Sequence, residues 1–413
     1  MMENALIQEL AQKYGTPLFI YDLSVILKRI QYLTDHLHPC VKLFYSLKAN
    51  PNPTLVYEIH KRGIQLEVCS LGEYRTAVES GGEPRKLMYL GPGKTEDEII
   101  KALDSGVGYY IVESLDELYT VIKRSAATGK HVGIGLRVNP AQTIQGSKLK
   151  MGGVPSPFGI DEGVLDQAIQ AVKLHANVSI KGLHVYYGTR ILKSDVVIKN
   201  TESVLTIAER KMRENRIKLE YLGIGGGLGI PYHSDEQELD IKKVIQGVNE
   251  RLNSFILHNG PIQIIMELGR YLVADAGVYI SSVIRTKTSR GIRYVMVDGG
   301  THHFAAAGGL GSLLKKNFSI DAIVGETRGT VRQMLAGPLC TPDDILGRNV
   351  ELPVLSKGDL IRINRAGAYG LTASPAMFLS HRLPREILVW QGNDSIIRNY
   401  DEYNQPVIRP VSL

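Results

Sequence analysis

The sequence predicts an α/β protein, a (β/α)8 barrel joined to a second, mostly β domain. Eight short apolar runs rich in β-branched and aromatic residues follow one another from residue 42 onward. Most of them are separated by a helix-length segment whose apolar residues recur with a period near 3.6. After about residue 280 strand-like runs joined by turns replace this alternation.

The eight runs have the continuous apolar character of parallel strands buried on both faces. Eight strand–helix units in about 240 residues match the usual size of a (β/α)8 barrel. An open doubly wound sheet is the rival fold, but it usually has fewer strands and a G-x-G-x-x-G turn, a spacing that GIGGGLG (223–229) lacks. The eight runs are KLFYSL, IQLEVCS, KLMYLG, GYYIVES, HVGIGLRVN, IKGLHVYYG, LEYLGIGGG and IQIIMELG.

Several of the intervening helices begin with the S/T-x-x-E motif of a capping box. In this motif the hydroxyl and the glutamate each satisfy a backbone N–H group that the first turn leaves unpaired. The three motifs are Ser70 with Glu73, Thr95 with Glu98, and Ser114 with Glu117.

We predict the barrel over residues 40–280 and a β-rich domain built from residues 1–39 and 281–413. The early run PLFIYD (17–22) stands apart from the barrel series and is expected to pair with the second domain. Within that domain, the tripeptide GND (392–394) is predicted to form a hairpin tip.

The composition is that of an ordinary globular protein, with 44% hydrophobic and 22% charged residues in a chain of 413. This length is enough for two or three domains. The formal net charge is +6, and no block of five or more like charges occurs. The charge pattern therefore gives little support to a nucleic-acid-binding or membrane-surface protein.

The three cysteines, Cys40, Cys69 and Cys340, are far apart and odd in number, which favours a reducing compartment. The N-terminal run MMENALIQELAQKYG has the pattern of an amphipathic helix and lacks the apolar core of a signal peptide. No apolar run approaches the roughly 18 residues needed to cross a bilayer. We therefore expect a cytoplasmic protein.

Polar residues occur where the predicted barrel strands end, which is where such barrels carry their functional groups. Lys48 closes the first strand, His184 lies in the sixth, Gly225–Gly227 follow the seventh, and Glu267 closes the eighth. Each has an ordinary structural explanation. A strand-end lysine usually extends to water, a buried histidine is often a hydrogen-bonded core residue, glycines form turns, and Glu267 with Arg270 could be an ion pair.

Taken together, these groups match the needs of pyridoxal phosphate. That cofactor requires an amine for covalent attachment, a carboxylate for its pyridine nitrogen, a group against its ring and a backbone cradle for its phosphate. Lys48, Glu267, His184 and Gly225–Gly227 supply one each. The prolines that follow Lys48 are expected to stop the strand and leave the amine at the barrel mouth.

Six motifs follow one another along the chain: FYSLKAN around Lys48, GLHVYYGT around His184, LGIGGGLG, ELGR (267–270), GPLCTPDD (337–344) and GAYG (367–370). In these motifs the chain resembles the diaminopimelate/ornithine decarboxylase family of fold-type III pyridoxal-phosphate enzymes over nearly its whole length. The resemblance implies an amino-acid decarboxylase with an alanine-racemase-like barrel and a C-terminal β domain.

The resemblance also implies roles for individual residues. Lys48 would hold the cofactor covalently, His184 would stack on its ring, Glu267 would pair with its pyridine nitrogen, and Thr189 would bind its phosphate. The full implied cofactor-binding set is Lys48, His184, Thr189, Gly225, Gly226, Gly227, Glu267, Leu268, Gly269, Arg270 and Tyr369.

The implied catalytic residues are Lys48, His184 and Cys340, and Cys340 would donate a proton to the substrate carbon after carbon dioxide leaves. The implied substrate-contacting residues are Arg270, Thr341, Asp344 and Tyr369. In the family, Cys340 and Asp344 would come from the neighbouring subunit, so the resemblance implies a homodimer with shared active sites.

Departures from the family pattern concern the substrate. Diaminopimelate and ornithine enzymes have an acidic residue directly after the catalytic cysteine, where this chain has Thr341. The run DGGTHHFAAAGGLG (298–311) also lacks the arginine and tyrosine that bind a distal carboxylate in diaminopimelate enzymes. A buried charge without its partner costs several kcal/mol. We therefore expect a substrate whose distal end is capped, conjugated or bound to a carrier.

The motifs KMGGVPSPFG, HVYYGT, DGGTHH and CTPDD are most similar to the branch that decarboxylates an acyl-carrier-protein-linked glutamyl group in butirosin biosynthesis. Siderophore decarboxylases that act on citrate-conjugated diamino acids share the cysteine–threonine–proline pattern. Both resemblances favour secondary metabolism over meso-diaminopimelate decarboxylation in lysine biosynthesis, which stays open as an alternative.

The adjacent histidines His302 and His303 raise the question of a metal site. Neighbouring residues of a strand point to opposite faces, so we expect no metal there and one histidine lining the pocket.

Two other functions are open on the same fold. An amino-acid racemase would need a second acid/base group and usually lacks GPLCTPDD. A silent regulatory homologue would be expected to have lost Lys48 or Cys340, and both are present.

Overall fold

The structure is a computed structural model that describes residues 2–144, 146, 149–310 and 315–399. Gly311, the last residue of the run DGGTHHFAAAGGLG, and residues 400–413 of the predicted β-rich domain lie outside the described residues.

Within the described residues the helices are α1 (Asn4–Tyr14), α2 (Leu23–His36), α3 (Pro53–His60), α4 (Leu71–Glu79), α5 (Glu96–Asp104), α6 (Leu115–Thr128), α7 (Leu165–Lys173), α8 (Ser194–Asn215), α9 (Ile241–Asn259) and α10 (Arg270–Val273). The strands in the same part of the chain are β1 (Leu18–Asp22), β2 (Val41–Ser46), β3 (Gln65–Val68), β4 (Met88–Tyr89), β5 (Tyr109–Val112), β6 (Val132–Asn139), β7 (Leu149–Lys150), β8 (Ile160–Asp161), β9 (Val178–Val185), β10 (Gly188–Thr189), β11 (Tyr221–Gly226), β12 (Gln263–Leu268), β13 (Gly277–Ser289), β14 (Ile292–Val297), β15 (Ile320–Ile323), β16 (Thr330–Ala336), β17 (Ile345–Pro353), β18 (Leu360–Ile363), β19 (Arg385–Trp390) and β20 (Asn393–Arg398).

The chain divides into two compact units. The barrel unit comprises Leu27–Pro231 and Gln237–Tyr271. The β-rich unit comprises the residues up to Ile26, the short segment Tyr232–Glu236, and the described residues from Leu272 onward.

The barrel unit is a closed ring of eight parallel strands, as the sequence predicts. Their spatial order is β5, β4, β3, β2, β12, β11, β9 and β6, and β6 pairs with β5 to close the ring. Each of the eight apolar runs overlaps one of these strands. Because both faces of a barrel strand are covered, by lumen side chains on one side and helices on the other, most residues of the runs are apolar.

Side chains of unequal size fill the lumen. The Tyr221 ring lies beside Gly135 and Gly182, and a methyl group at either glycine would overlap that ring. Phe44, Met88 and Ile265 pack in the same cluster. Glycines on β6 and β9 therefore make room for one large aromatic residue from β11.

The strand that precedes Lys48 ends earlier than the sequence indicates. β2 stops at Ser46, and Lys48 lies in a 3-10 turn formed by Leu47–Ala49. The prolines are not what stops the strand, because Pro53 instead occupies the first turn of α3. There the side chain of Asn52 accepts a hydrogen bond from Thr54 N, so Asn52 caps that helix.

All three predicted cap hydroxyls accept a hydrogen bond from the expected glutamate N–H group. Only Thr95 and Glu98 form the full reciprocal box. Glu73 instead accepts from Cys69 N, and Glu117 accepts from Glu113 N, one residue before the cap in each case. The glutamates of α4 and α6 therefore fix the ends of the preceding strands.

The β-rich unit is built on one sheet with the order β17, β16, β14, β13, β1, β19 and β20. In addition, β18 pairs with β13, and β15 pairs with β18. The early strand β1 lies between β13, antiparallel to it, and β19, parallel to it. Two hairpins turn at Arg290–Gly291 and Gln391–Gly392, and all four residues have positive φ. The second turn begins one residue before the predicted GND tip and shares Gly392 with it.

One face of this sheet is covered by α1. Ile7 and Leu10 of the helix are fully buried and pack with Leu18 and Ile20 of β1 and with Ile387 of β19. Among the described residues, no helix combines the length and the apolar character needed to cross a membrane.

Candidate active site

Lys48 lies just beyond the carboxyl end of β2. Its Nζ atom donates a hydrogen bond to Oε1 of Glu67 on β3 over 2.7 Å and lies 3.9 Å from Sγ of Cys69. The Lys48 side chain is 41% exposed, whereas Glu67 is buried. Burial raises the pKa of the Cys69 thiol to about 12, so that thiol is neutral beside the amine. The amine is accessible and is held in place by a buried carboxylate.

Glu67 is a residue of this site that the sequence analysis missed. It also accepts a hydrogen bond from the hydroxyl of Ser46, which lies on the neighbouring strand β2. A signal for Glu67 was available, because a single carboxylate in the apolar run IQLEVCS must find a partner when the strand is buried.

His184 and Glu267 form the second feature of the site. Nε2 of His184 donates to Oε1 of Glu267 over 2.6 Å, and both side chains are buried. These residues lie on β9 and β12, which are separated by β11, so the pair spans a strand. A methyl group at Gly223 of β11 would lie 2.6 Å from the His184 ring. Glycine at position 223 therefore allows the contact.

The carboxylate of Glu267 stays ionised despite its burial. Burial alone would raise its pKa, but the adjacent His184 imidazole, the hydrogen bond and, more weakly, Lys48 lower the pKa below its ordinary value. A negative charge is thus maintained inside the barrel at neutral pH.

The glycine cluster lies in a loop with little room for side chains. Gly225 and Gly227 have φ values of 66° and 71°, which favour glycine. A methyl group at Gly226 would overlap the Glu267 carbonyl oxygen, and one at Gly227 would overlap that of Gly188. Ile191 N donates to Gly227 O over 3.0 Å, which fixes the loop beside the segment that contains Thr189.

The chain that leaves β12 also approaches the lysine turn. Leu268 pairs in register with Tyr45 of β2. A methyl group at Gly269 would lie 2.7 Å from Cβ of Ala49, so the two backbones pack closely. Arg270 begins α10. The predicted cofactor-binding residues of the barrel unit thus meet at the carboxyl ends of four neighbouring strands, β2, β12, β11 and β9.

A further buried ion pair lies in this unit. Nη1 of Arg137 on β6 lies 3.0 Å from both carboxylate oxygens of Glu113, which follows β5. The Arg137 guanidinium also stacks on the Phe158 ring, with 4.8 Å to the ring centroid. The sequence analysis missed this pair too, although both residues interrupt apolar strand runs.

The other predicted site residues lie in the β-rich unit. Cys340 is exposed and Thr341 is half-buried in the loop between β16 and β17. Tyr369 lies in the turn after β18 and has a left-handed backbone, with φ of 53°. A non-glycine residue in this region is strained, which is common at binding sites.

Asp344 is buried at the end of the Cys340 loop. One carboxylate oxygen accepts hydrogen bonds from the backbone N and Oγ1 of Thr301 over 2.7 and 2.8 Å, and the other accepts from Leu339 N over 2.8 Å. Glycines at 300 and 337 leave room for these oxygens. Asp344 therefore ties the Cys340 loop to the loop that follows β14.

The expectation that His302 and His303 alternate as in a strand is wrong. They lie in a turn-rich segment after β14, and their ring centroids are 3.7 Å apart. The alternation argument does not apply because the segment has no pleat.

The family described as "Pyridoxal-dependent decarboxylase, pyridoxal binding domain" matches residues 23–274, which include the whole ring of barrel strands. The chain belongs to this family. It is therefore a pyridoxal-phosphate-dependent amino-acid decarboxylase, as the sequence predicts.

Curated relatives of this decarboxylase extend over nearly the whole chain. The L-glutamyl-[BtrI acyl-carrier protein] decarboxylase of Niallia circulans is 35% identical over 96% of this chain and 94% of the relative. The diaminopimelate decarboxylase of Zymomonas mobilis is 29% identical over 96% and 93%. The 2-[(L-alanin-3-ylcarbamoyl)methyl]-2-hydroxybutanedioate decarboxylase of Staphylococcus aureus is 28% identical over 92% and 96%.

Among solved structures, the Helicobacter pylori diaminopimelate decarboxylase complexed with L-lysine superposes with a TM-score of 0.85. It is 26% identical, and the match covers 95% of this chain and 96% of that one. The predicted fold class, a barrel with a second β-rich unit, is confirmed.

The residues of the barrel unit fit pyridoxal phosphate. An accessible amine, an ionised buried carboxylate, an imidazole and a glycine loop closed to side chains occur within one ring of strands. The role of each individual residue stays a prediction.

Proposed function

We propose that this decarboxylase acts on an amino acid whose distal end is uncharged because it is joined to another group, as in a glutamyl unit carried by an acyl-carrier protein. Secondary metabolism is the proposed setting. The proposal deepens the established activity, amino-acid decarboxylation, by specifying the substrate.

The observation that carries the proposal is the state of the Cys340 loop. The position after Cys340 holds Thr341, which is neutral. Asp343 is exposed and paired with Lys315 over 2.7 Å, and the Asp344 carboxylate already accepts three hydrogen bonds. Within the described part of this loop, every carboxylate has a partner from the protein itself. A distal ammonium group buried there would find no carboxylate that is free of protein partners, so its desolvation would be poorly compensated.

Two relatives are consistent with this substrate class. The Niallia circulans enzyme is named for a glutamyl group on a carrier protein, and the Staphylococcus aureus enzyme is named for an alanine unit joined through a carbamoyl group. A citrate-type conjugate is therefore the second candidate substrate.

The residues have the following proposed roles. Lys48, held by Glu67, attaches the cofactor, and His184 packs on the cofactor ring. The ionised Glu267 carboxylate holds a proton on the pyridine nitrogen. Bound pyridoxal phosphate supplies the electron-withdrawing ring that accepts the electron pair when carbon dioxide leaves.

Other residues have proposed positioning and proton-transfer roles. Thr189 and the glycine loop bind the phosphate, with Leu268–Arg270 and Tyr369 completing the cofactor site. The Cys340 thiol delivers a proton to the substrate carbon. Thr341 faces the distal part of the substrate, and Asp344 positions the Cys340 loop.

The test is a side-by-side assay of carbon dioxide release. Meso-diaminopimelate, ornithine, lysine, glutamate, a glutamyl-carrier conjugate and a citrate-conjugated diamino acid are offered to the same enzyme preparation. We expect release from a conjugate and little from the free amino acids. Faster release from free meso-diaminopimelate would establish the lysine-biosynthesis alternative instead.

A matched variant tests the role of the loop. Thr341→Glu restores a carboxylate after Cys340, so it should raise activity on ornithine or lysine relative to the conjugate. An unchanged ratio of these activities would show that position 341 does not face the distal end of the substrate.

A further inference from the structure

His303 is fully engaged in holding its own loop. Its Nε2 lies 2.9 Å from the carbonyl oxygen of Arg382, so this nitrogen carries the proton and donates. Its Nδ1 then accepts from the hydroxyl of Tyr279 over 3.0 Å. Together with the bonds from Thr301 to Asp344, these contacts pin the chain on both sides of His302.

His302 itself has no such partners. Its side chain is 0% exposed, and within the described residues neither ring nitrogen has a hydrogen-bond partner. Buried polar groups almost always have hydrogen-bond partners, so a rigidly held ring whose two nitrogens have none indicates a function. Burial lowers the pKa of His302 to about 4, and the ring is therefore neutral at physiological pH, with one N–H donor and one acceptor.

A strained segment, residues 377–381, lies next to this ring. The His381 ring centroid is 5.3 Å from that of His302. Leu379 and Ser380, the two residues before His381, have left-handed φ values of 57° and 56°. Two consecutive non-glycine residues in this conformation are uncommon and cluster at binding sites.

The segment next to His302 exposes apolar side chains, and the charged group that acts on the ring is the Asp344 carboxylate. Met377, Phe378 and Leu379 expose about half of their side chains, 51%, 48% and 48%. The run 305–309 contains only alanine and glycine. Within the described residues no group of His, Cys, Asp and Glu side chains has the arrangement of a metal site. A neutral polar group on an apolar chain suits these surroundings better than an anion does.

We propose that His302 recognises the conjugated part of the substrate. When segment 377–381 moves aside, the ring N–H would donate a hydrogen bond to an amide or ester carbonyl of the substrate. The inference rests on the proposed function, because only a conjugated substrate has that carbonyl. His302 is then a specificity-determining residue.

Two small substrates test the proposal. One is the γ-glutamyl butylamide, and the other is an α-amino acid of equal length in which methylene groups replace the amide. His302→Leu should lower kcat/KM for the amide about tenfold or more, mainly through KM, and leave the hydrocarbon within about twofold. His302→Gln, which keeps a donor, should retain most of the activity on the amide.

Thermal stability distinguishes this role from a structural one. Replacing an unpaired buried ring by leucine removes no hydrogen bond, so His302→Leu should keep or raise Tm. The matched control is His303→Leu, which loses two hydrogen bonds and should lower Tm and both activities together. Ring ¹⁵N spectra add a readout independent of turnover. The His302 resonance is assigned as the signal that is missing in His302→Leu, and binding of the decarboxylated amide product should shift it.

The failures are distinguishable. If the wild type releases carbon dioxide from free diamino acids but from no conjugate, the proposed function fails and the His302 role fails with it. If the wild type accepts the amide but His302→Leu affects amide and hydrocarbon equally, only the His302 assignment is overturned.

Discussion

At the scale of single residues, charged groups in buried strands locate this active site. Glu67 and Glu267 are carboxylates inside apolar runs, and each is paired, with Lys48 and with His184. An unpaired charge at these depths would be strongly destabilising, so the fold must supply each partner. Both pairs lie in the barrel unit, where the amine and one carboxylate have their proposed roles.

We expect Lys48→Ala to abolish the visible absorption band of the bound cofactor and to lower turnover about a thousandfold or more, because no other amine takes its place. Absorption spectra and carbon dioxide release check both effects. Lys42→Ala, which removes an exposed lysine from β2, the strand that precedes Lys48, is the control and should behave as wild type. Full turnover by Lys48→Ala would end the assignment.

Cys340→Ala is expected to retain the cofactor band while product formation falls about a hundredfold or more, the usual contribution of a positioned acid. Loss of proton delivery should also divert part of the substrate to side products, which mass spectrometry would detect. Cys40→Ala serves as the control because Cys40 precedes β2, at the end of that strand opposite to Lys48. A wild-type rate and product in Cys340→Ala would remove this thiol as the donor.

At the scale of the elements, glycines in barrel strands determine where large rings lie. Gly182 of β9 and Gly135 of β6 leave room for Tyr221, and Gly223 of β11 lets His184 reach across to Glu267. A glycine on one strand therefore lies where an aromatic ring from a nearby strand packs against the backbone. Close packing leaves no slack for an added methyl group.

Gly182→Ala should destabilise the protein by about 1–3 kcal/mol or more, because its methyl group would overlap the buried Tyr221 ring. Denaturant unfolding monitored by circular dichroism measures the loss. Gly93→Ala, where a methyl group meets no atom within 4 Å, is the matched control and should change stability by less than about 0.5 kcal/mol. Equal stability of the two variants would contradict the packing argument.

At the scale of the whole molecule, the predicted site residues are divided between two units. The amine, the buried carboxylate and the glycine loop lie in the barrel unit, and the thiol, Thr341 and Tyr369 lie in the β-rich unit. The match to relatives covers both units, since it spans over nine-tenths of the chain. We propose that a homodimer combines the barrel residues of one subunit with Cys340 of its neighbour.

Complementation between inactive variants tests the shared site. When Lys48→Ala and Cys340→Ala are co-expressed with different tags, a mixed dimer has one site with both lesions and one intact site. Half of randomly formed dimers are mixed, so activity should recover to about a quarter of wild type. Recovery no greater than the sum of the separate variants would show that each site lies within one subunit. Light scattering gives the mass of the assembly.

The sequence by itself determined the barrel, its eight strands, the β-rich unit and the cofactor. The spacing of apolar residues along the chain indicates which face of each helix or strand is buried, and this spacing can be read from neighbouring residues alone. Ordered motifs such as FYSLKAN and ELGR added the chemistry, because an amine, a carboxylate, an imidazole and a glycine loop at strand ends match the needs of the cofactor only when they occur together.

Only the tertiary structure decided which side chains became partners. Glu67 accepts a hydrogen bond from Lys48, and Glu267 accepts one from His184, whose ring passes Gly223. Asp344 accepts hydrogen bonds from Thr301 and Leu339. It also showed that His303 is hydrogen-bonded whereas the adjacent His302 is not, a difference that the sequence does not indicate. Such pairings depend on the register between strands and on the course of turns, which join residues far apart in the chain and leave no local pattern.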